Sequence, residues 1–531
     1  MTKSTRKVLI SDEVSRRALD RFEAEPGLAV DYRPGLPAAE LERIVGDYEA
    51  LVVRSQTKVT AKVIEKAASL TVIGRAGTGV DNVDLEAATR RGIVVMNVPG
   101  GNTVSAAEHT MAMLLSMARG IPAADRSMRA GRWERGRFVG SELEGKVLGV
   151  LGMGKIGREV AHRARAFGMD VLGYDPFVSA DDLTRTHTAF VPLEQLFHRS
   201  DFITVHTPLT PETRHLVGDA ELAACKPGVR IVNCARGGIV DEKALARHLA
   251  SGHVAGAALD VYEEEPPRDL PLRDMDNVVL TPHLAASTAE AQEKVAVTIA
   301  EQVCDYLRDG VARNAVNVTP MDPRVRERVG PYLDLAERLG RFQSQMLEGH
   351  LKEITVEYSG EIPGEALPAL TVAILKGYFE RFLSGPVNAV NAAFIARERG
   401  IRLNEVRTSE PQDYINLITA VFDTDVKRHA IAGTVFGRNL PRIVRLDGFR
   451  FDAMPEGELL LVSNDDRPGI VGMVGGLLGA HQVNIAYMSL GRDRIGGQAI
   501  AVINIDSPLP DGAEAELRSR PGILWVKTAR L

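Results

Sequence analysis

Cysteine is scarce: Cys225, Cys234 and Cys304 are the three in 531 residues. They form no C-x-x-C pair and no disulfide framework, so the chain reads as a protein of a reducing, intracellular compartment with no metal centre. Excess basic charge is also lacking. The 64 Lys and Arg are outnumbered by 70 Asp and Glu, for a formal net charge of −6. A nucleic-acid partner wants a basic face, and this composition offers none, whereas a few well-placed arginines can still hold a small anion. No apolar run approaches the roughly 18 residues of a membrane span. The opening "MTKSTRKVLISDEV" is basic, but its apolar core ends after Ile10, so it does not read as a signal peptide. Low-complexity tracts and short-period repeats are absent. These absences predict a cytoplasmic protein with neither nucleic-acid nor membrane partners.

What the chain does have is length and alternation. It is too long for one core, and two to four domains are expected. In the first hundred residues "KVLIS", "ALVVRS", "LTVIGRAG" and "GIVVMNVPG" read as buried strands, with helices in "DEVSRRALDRFEAE" and "AKVIEKAA". Continuous apolar strands alternating with helices predict a parallel sheet covered on both faces. After a long helical pattern, "TVSAAEHTMAMLLSMARGI", a second series begins: "KVLGVLGMG", "DVLGYDP", "DFITVHTP", "VRIVNCARG", "VAGAALDVYEEEPP", "NVVLTPH". Another long helical pattern runs to about Gly310, and "NVTPMDPRVRERVG" reads as a linker. Beyond it, "LKEITVEYSG", "YINLITAVFD", "HAIAGTVFG" and "PRIVRLDGFRFDAM" predict longer antiparallel strands, with helices from about Leu367 to Gly400. The last block reads βαββαβ, the ferredoxin-like order.

"KVLGVLGMGKIGREVA" contains G-x-G-x-x-G at Gly152, Gly154 and Gly157, between an apolar strand and an amphipathic helical pattern. Gly152 permits the tight turn, Gly154 lets a pyrophosphate approach the backbone, and Gly157 allows helix and strand to pack closely. Asp175 ends the next strand, 23 positions after Gly152, near the roughly 20 expected of the ribose-binding carboxylate. A carboxylate there accepts from both ribose hydroxyls and repels a 2′-phosphate, which favours NAD over NADP.

Ligands of an open α/β sheet bind beyond the carboxyl ends of its strands. In the second series those ends carry Arg236, Glu265 and His283. Each has a plainer reading: an arginine bridging a turn, a member of the solvated run Glu263 to Glu265, one structural histidine among twelve. Together, beside a dinucleotide loop, they suit alcohol oxidation. A neutral imidazole takes the hydroxyl proton. A carboxylate orients the ring and raises its pKa. An arginine holds a substrate carboxylate bidentately.

The segments "GRAGTGVDNVD", "GMGKIG", "NCARGG", "EEEPP" and "TPHLAAS" together resemble the D-2-hydroxyacid dehydrogenase family. "VSNDDRPGIVGMVGGLL" and "VNIAYMSLGR" resemble an ACT domain, and the likeness to the long, ACT-containing type covers the whole chain. The resemblance implies two Rossmann-like lobes followed by an α+β intervening domain and an ACT domain. It divides the chain into a discontinuous substrate-binding domain (1–98 and 286–318), an NAD-binding domain (99–285), an intervening domain (319–454) and the ACT domain (455–531). It makes His283 the acid/base, Glu265 its partner and Arg236 the carboxylate holder. It also places Thr78, Ile156, Thr207, Cys234, Asp260, Ala285 and Ala286 near the cofactor. Where the family often has glycine, this chain has Ala285, a change expected to be tolerated.

The implied reaction is NAD-dependent oxidation of 3-phospho-D-glycerate. The phosphate needs cations, for which Arg54, Arg75, Arg132 and Arg135 are candidates, with Ser55 and Asn102 nearby in the sequence pattern. The resemblance further implies L-serine as effector at Asp466 and Asn484, an anion site among the arginines of "GRNLPRIVRLDGFR", and a homo-oligomer, a tetramer. Two alternatives stay open at this stage. One is a D-2-hydroxyacid dehydrogenase with a non-phosphorylated substrate. The other is an NADH-sensing, corepressor-like binding protein.

Overall fold

The computed structural model describes residues 5–178, 188–383, 385–408 and 413–531. The first series forms strands β1 (Arg6–Ile10), β2 (Leu28–Tyr32), β3 (Ala50–Val53), β4 (Val72–Arg75) and β5 (Val94–Met96). They make one parallel sheet in the order β2-β1-β3-β4-β5. The strand β2 escapes the sequence pattern because it is an edge strand whose residues are only partly covered, so "LAVDY" lacks a continuous apolar run.

The second series forms β6 (Val147–Leu151), β7 (Asp170–Tyr174), β8 (Ala189–Phe190), β9 (Phe202–Val205), β10 (Val229–Asn233), β11 (Val254–Leu259) and β12 (Val278–Leu280). Their order is β12-β11-β10-β9-β6-β7-β8, all parallel. The strand order reverses between β6 and β9, and the glycine loop lies at that switch point, where an open sheet leaves a crevice.

Two long helices cross between the lobes. The helix Thr103–Arg119 buries Ala107, Met111 and Leu114 in the core of the second lobe, with Leu148 and Val150 of β6. The helix Ala289–Asp309 returns to the first lobe, where Val295, Ile299 and Val303 pack with Val8, Val52 and Val72. Gly74 of β4 makes this contact close: a Cβ there would lie 2.7 Å from Val303.

"NVTPMDPRVRERVG" is only in part a linker. Asp322 caps the 24-residue helix Pro323–Met346, its side chain accepting from the backbone N–H of Arg324. A proline in the first turn starts a helix rather than ending one, because its missing N–H would be unpaired there anyway. Strands β13 (Leu351–Gly360), β14 (Arg402–Thr408), β15 (Asn416–Thr424), β16 (Arg428–Phe436), β17 (Leu440–Leu446) and β18 (Phe449–Ala453) follow. Their sheet, β14-β13-β15-β16-β17-β18, is antiparallel except for β14, an exposed edge strand that pairs parallel to β13 and that the sequence pattern does not reveal. "PRIVRLDGFRFDAM" is two strands, turning at Asp447 and Gly448 with φ of 45° and 93°. Positive φ at both residues is what a tight two-residue hairpin turn requires.

The last sheet holds β19 (Glu458–Asp465), β20 (Ile485–Arg492), β21 (Gln498–Ile505) and β22 (Ile523–Arg530) in the order β20-β21-β19-β22. With helices Ile470–Ala480 and Ala513–Arg518 the order along the chain is βαββαβ, as expected. One face of this sheet buries Leu460 and Val462 under those helices, and the other buries Leu459 and Leu461 in the core of the preceding domain. "ELLLVSND" is accordingly apolar on both faces. Among the described residues no helix is long and apolar enough to cross a membrane.

Candidate active site

A cleft of about 650 Å³ lies between the two lobes. The first lobe contributes Arg54, Ser55, Arg75, Thr78 and Asp81. The second contributes Ile156, Thr207, Cys234, Arg236, Glu265, His283, Ala285 and Ala286, and Asn102 lines the crossing.

The cofactor loop is built as its glycines require. Gly152 ends β6 with φ of 92°, and a Cβ at Gly157 would lie 2.0 Å from the Gly152 carbonyl oxygen. Among the described residues nothing stands within 4 Å of a Cβ at Gly154, which leaves space there for a ligand. The helix Lys155–Ala166 begins immediately after it, with no side chain capping its first N–H groups, and those groups suit an anion. Asp175 accepts from the backbone N–H of Met153 and of Phe177, both at 2.9 Å, which holds its carboxylate against the loop. The Thr207 hydroxyl is buried with no partner among the described residues. These features fit NAD. Thr78 is already engaged, donating to Asn102 at 2.8 Å. Burial pushes the Cys234 thiol up to about 12, so it serves as an apolar wall.

Asp260 does something the sequence does not reveal. It is fully buried, and its carboxylate accepts from the N–H of Leu284 at 2.7 Å, the N–H of Ala285 at 2.8 Å and the hydroxyl of Thr281 at 2.6 Å. His109 of the crossing helix lies 3.2 Å away. Burial raises this carboxyl's pKa, but these bonds outweigh burial and hold it below its usual value. The Asp260 carbonyl accepts from the N–H of His283 at 2.9 Å. The turn is thus clamped while His283 itself adopts φ of 55°, a left-handed conformation few non-glycine residues take. Ala285 is not among the left-handed residues, so the alanine costs no backbone strain.

His283 Nδ1 lies 2.7 Å from Glu265 Oε2. That hydrogen bond raises the imidazole pKa, burial opposes it, and the Glu265 charge adds to the rise, leaving it above its usual value. For Glu265, burial is outweighed by the bond to His283 and its charge, with the N–H of Tyr262 adding a bond at 3.2 Å, so the carboxyl sits below its usual range. The Tyr262 hydroxyl also donates to Thr281 O at 2.9 Å. Tyr262 therefore ties both partners together, a role no spacing in the sequence signals.

The cations divide into two groups. Arg75 is partly buried, and its Nε has no partner among the described residues. Burial, then the nearby Arg236, lowers it to about 10, so it stays charged at neutral pH. The backbone N–H of Arg54 is held by the buried Asp12, which also accepts from Thr57 Oγ1 at 2.6 Å. Asp12 follows β1, and the strand-end rule applied to the first lobe would have found it. The structure does not bring Arg132 and Arg135 to the cleft: Arg132 is exposed and faces Glu134 at 3.4 Å, and the neighbouring Arg137 is tied to Asp276. They follow the helix Ile121–Arg129 on an outer arm of the second lobe.

In the last domain Asp466 accepts from Gly496 N–H at 2.9 Å and lines a 320 Å³ cavity with Arg467 and Arg492. Asn484 is not part of it. It donates to Asp506 at 2.7 Å. The register sets Arg492 beside Ala499 at one end of the sheet and Ile485 beside Ile505 at the other, so within one chain the two effector candidates are apart. Of the arginines after Gly437, Arg442 pairs with Asp452 and Arg450 with Asp413.

Asp260→Asn puts a donor where the turn needs an acceptor. A loss of kcat/KM of about 100-fold is expected, the scale of an ångström-sized displacement of a catalytic group. Steady-state kinetics within about threefold of wild type would contradict the clamp.

The NAD-binding domain of D-isomer specific 2-hydroxyacid dehydrogenases matches residues 111–285, the D-3-phosphoglycerate dehydrogenase intervening domain residues 328–447, and the ACT domain residues 459–522. The D-3-phosphoglycerate dehydrogenase of a Synechocystis species is 44% identical over 526 residues, 99% of this chain and 95% of that protein. The one from Archaeoglobus fulgidus is 45% identical over 521 residues, 98% of each. Among solved structures, the TT0316 protein of Thermus thermophilus superposes with a TM-score of 0.54 at 38% identity, covering 58% of this chain and 99% of that one. D-lactate dehydrogenase from Aquifex aeolicus, complexed with NAD and lactic acid, gives 0.53 at 28% identity, covering 58% and 98%. With a dinucleotide loop, a clamped imidazole and matches that run through both C-terminal domains, the chain belongs to the D-3-phosphoglycerate dehydrogenases of the D-isomer specific 2-hydroxyacid dehydrogenase family.

Proposed function

We infer that the enzyme oxidises 3-phospho-D-glycerate at C2 to 3-phosphohydroxypyruvate, the first committed step of L-serine biosynthesis, with NAD as the hydride acceptor. The observation that carries this reading is the 2.7 Å His283–Glu265 pair sharing one cleft with Arg236 of the same lobe and Arg75 of the opposite lobe. His283 Nε2 takes the hydroxyl proton, and Glu265 stabilises the imidazolium that results. The ring must be neutral to act as base and protonated to act as acid. Because Glu265 raises its pKa, oxidation is favoured as pH rises through that value, and the reverse reduction as it falls. Arg236 holds the substrate carboxylate. Arg75, with a buried and unpartnered Nε, and Arg54 hold the phosphate.

The activity is tested by NADH absorbance on mixing the enzyme with NAD and 3-phosphoglycerate, and no absorbance would overturn it. Replacing Arg54 and Arg75 together by Met should lower kcat/KM for 3-phosphoglycerate by at least about 100-fold, since two charged hydrogen-bonding partners are lost. A change within about twofold would favour a non-phosphorylated substrate.

The ACT domain takes L-serine as effector. Asp466 and Asn484 lie at opposite ends of one sheet, so a shared site needs two ACT domains paired head to tail. Exposed Trp133 and Val139 on the second lobe's arm, 79% and 87% accessible, support a further contact between copies, and together these make a tetramer. Three free, buried cysteines suit the cytoplasm. Calorimetric titration with serine should give heat that Asp466→Ala abolishes. No heat with the wild-type protein would exclude serine.

A further inference from the structure

Arg236 already has a carboxylate beside it. Its Nε lies 3.2 Å from Oδ2 of Asp81, a residue of the opposite lobe in the loop after β4. Gly79 brings that loop close: a Cβ there would lie 2.2 Å from Nη2 of Arg236 and 2.7 Å from Oδ2 of Asp81. The Arg236 side chain is 32% exposed and that of Asp81 73%. Arg75 stands next to Arg236 and repels it, while its own Nε has no partner among the described residues. Asp81, reaching in from water, therefore pairs with Arg236 and lies near enough to Arg75 to offset part of the repulsion between the two cations.

We propose that Asp81 is an exchangeable counter-ion that occupies the substrate-carboxylate seat on Arg236 and yields it to the substrate. The proposal rests on Arg236 as the carboxylate holder. An ion pair this exposed is weak, because water competes for both charges and both side chains lose freedom in holding it. Asp81 returns to full hydration when displaced. A substrate carboxylate that meets the guanidinium with two oxygens forms a stronger contact than the single Nε approach of Asp81, so the exchange runs toward substrate. A simple anion with one contact gains little over Asp81 and is kept out. Asp81 is thus a specificity-determining residue. It spares the two arginines an unscreened repulsion in the empty cleft and sets a threshold that adventitious anions do not pass. The exchange moves no proton and breaks no covalent bond.

The probe is malonate, a dicarboxylate with no hydroxyl to oxidise, titrated calorimetrically into the NADH complexes of wild type, Asp81→Asn and Asp81→Ser at one ionic strength. Both substitutions should lower the malonate Kd about three- to fivefold, the size of an exposed ion pair. The KM for 3-phosphoglycerate should fall with it. An unaltered NADH affinity reports that each variant is folded, and Asp81→Ser decides the matter if Asp81→Asn does not fold. A malonate Kd that is unchanged, higher or undetectable overturns the proposal, and a higher value with falling kcat would make Asp81 a fixed support for Arg236. Malonate binding needs no turnover, so failure to oxidise 3-phosphoglycerate would count against the assigned substrate and not against this exchange.

Discussion

The carboxylate of Asp260 is buried in the second lobe with no arginine or lysine bonded to it among the described residues, and the geometry at His283 hangs on how it is satisfied. Two backbone N–H groups, a threonine hydroxyl and a nearby histidine surround it. Hydrogen bonds to a charged acceptor contribute about 1.5–3 kcal/mol each, and a buried carboxylate without them would cost several kcal/mol. The Thr281–Ala285 backbone follows a path that delivers both N–H groups to it. That path places His283 in a left-handed conformation and aims its ring at Glu265. The Ala285 carbonyl is held in turn by Ser105 of the crossing helix at 2.6 Å, so the same turn fixes the imidazole and joins it to the element that links the lobes.

The two lobes solve one problem twice. Each presents the carboxyl ends of parallel strands to the cleft, and each uses a buried aspartate just beyond a strand to hold a loop: Asp12 beneath Arg54 and Thr57, Asp260 beneath His283. The cations come mainly from the first lobe and the acid/base pair from the second. Neither lobe is sufficient for a substrate with an anion at each end, which is a physical reason for the site to lie between them. The weak contact of Asp81 with Arg236 spans the same gap.

Much of this was legible in the residues. Buried parallel strands announce themselves as continuous Val- and Ile-rich runs, and the reading of "NVVLTPH" as a strand ending at a histidine needed nothing more. The glycine loop was legible because each glycine answers a separate steric demand. What escaped was of three kinds. Edge strands such as β2 and β14 are half covered, so they lack the apolar run that identifies a strand. Side chains that act by holding others, such as Asp12, Asp260 and Tyr262, carry no spacing signature because their partners are brought near only by folding. The helix Pro323–Met346 escaped for a third reason: proline ends a helix from within but begins one at its first turn, and charge alternation alone does not tell the two apart. Within one chain Arg132 and Arg135 lie away from the cleft, because distance along the chain says nothing about which side of the lobe a segment occupies.

At the C-terminal end, two-sided burial of β19 joins the ACT sheet to the core of the domain before it, so the two are packed as one body rather than tethered. At the cleft, the claim that matters most is that Glu265 holds the His283 imidazole ready to exchange a proton. Titration of the His283 ring protons by NMR measures it directly. The account requires a midpoint above the usual 6.5 that falls when Glu265 is replaced by Gln. A midpoint at or below 6.5 in the wild-type protein, or one indifferent to Glu265, would contradict it.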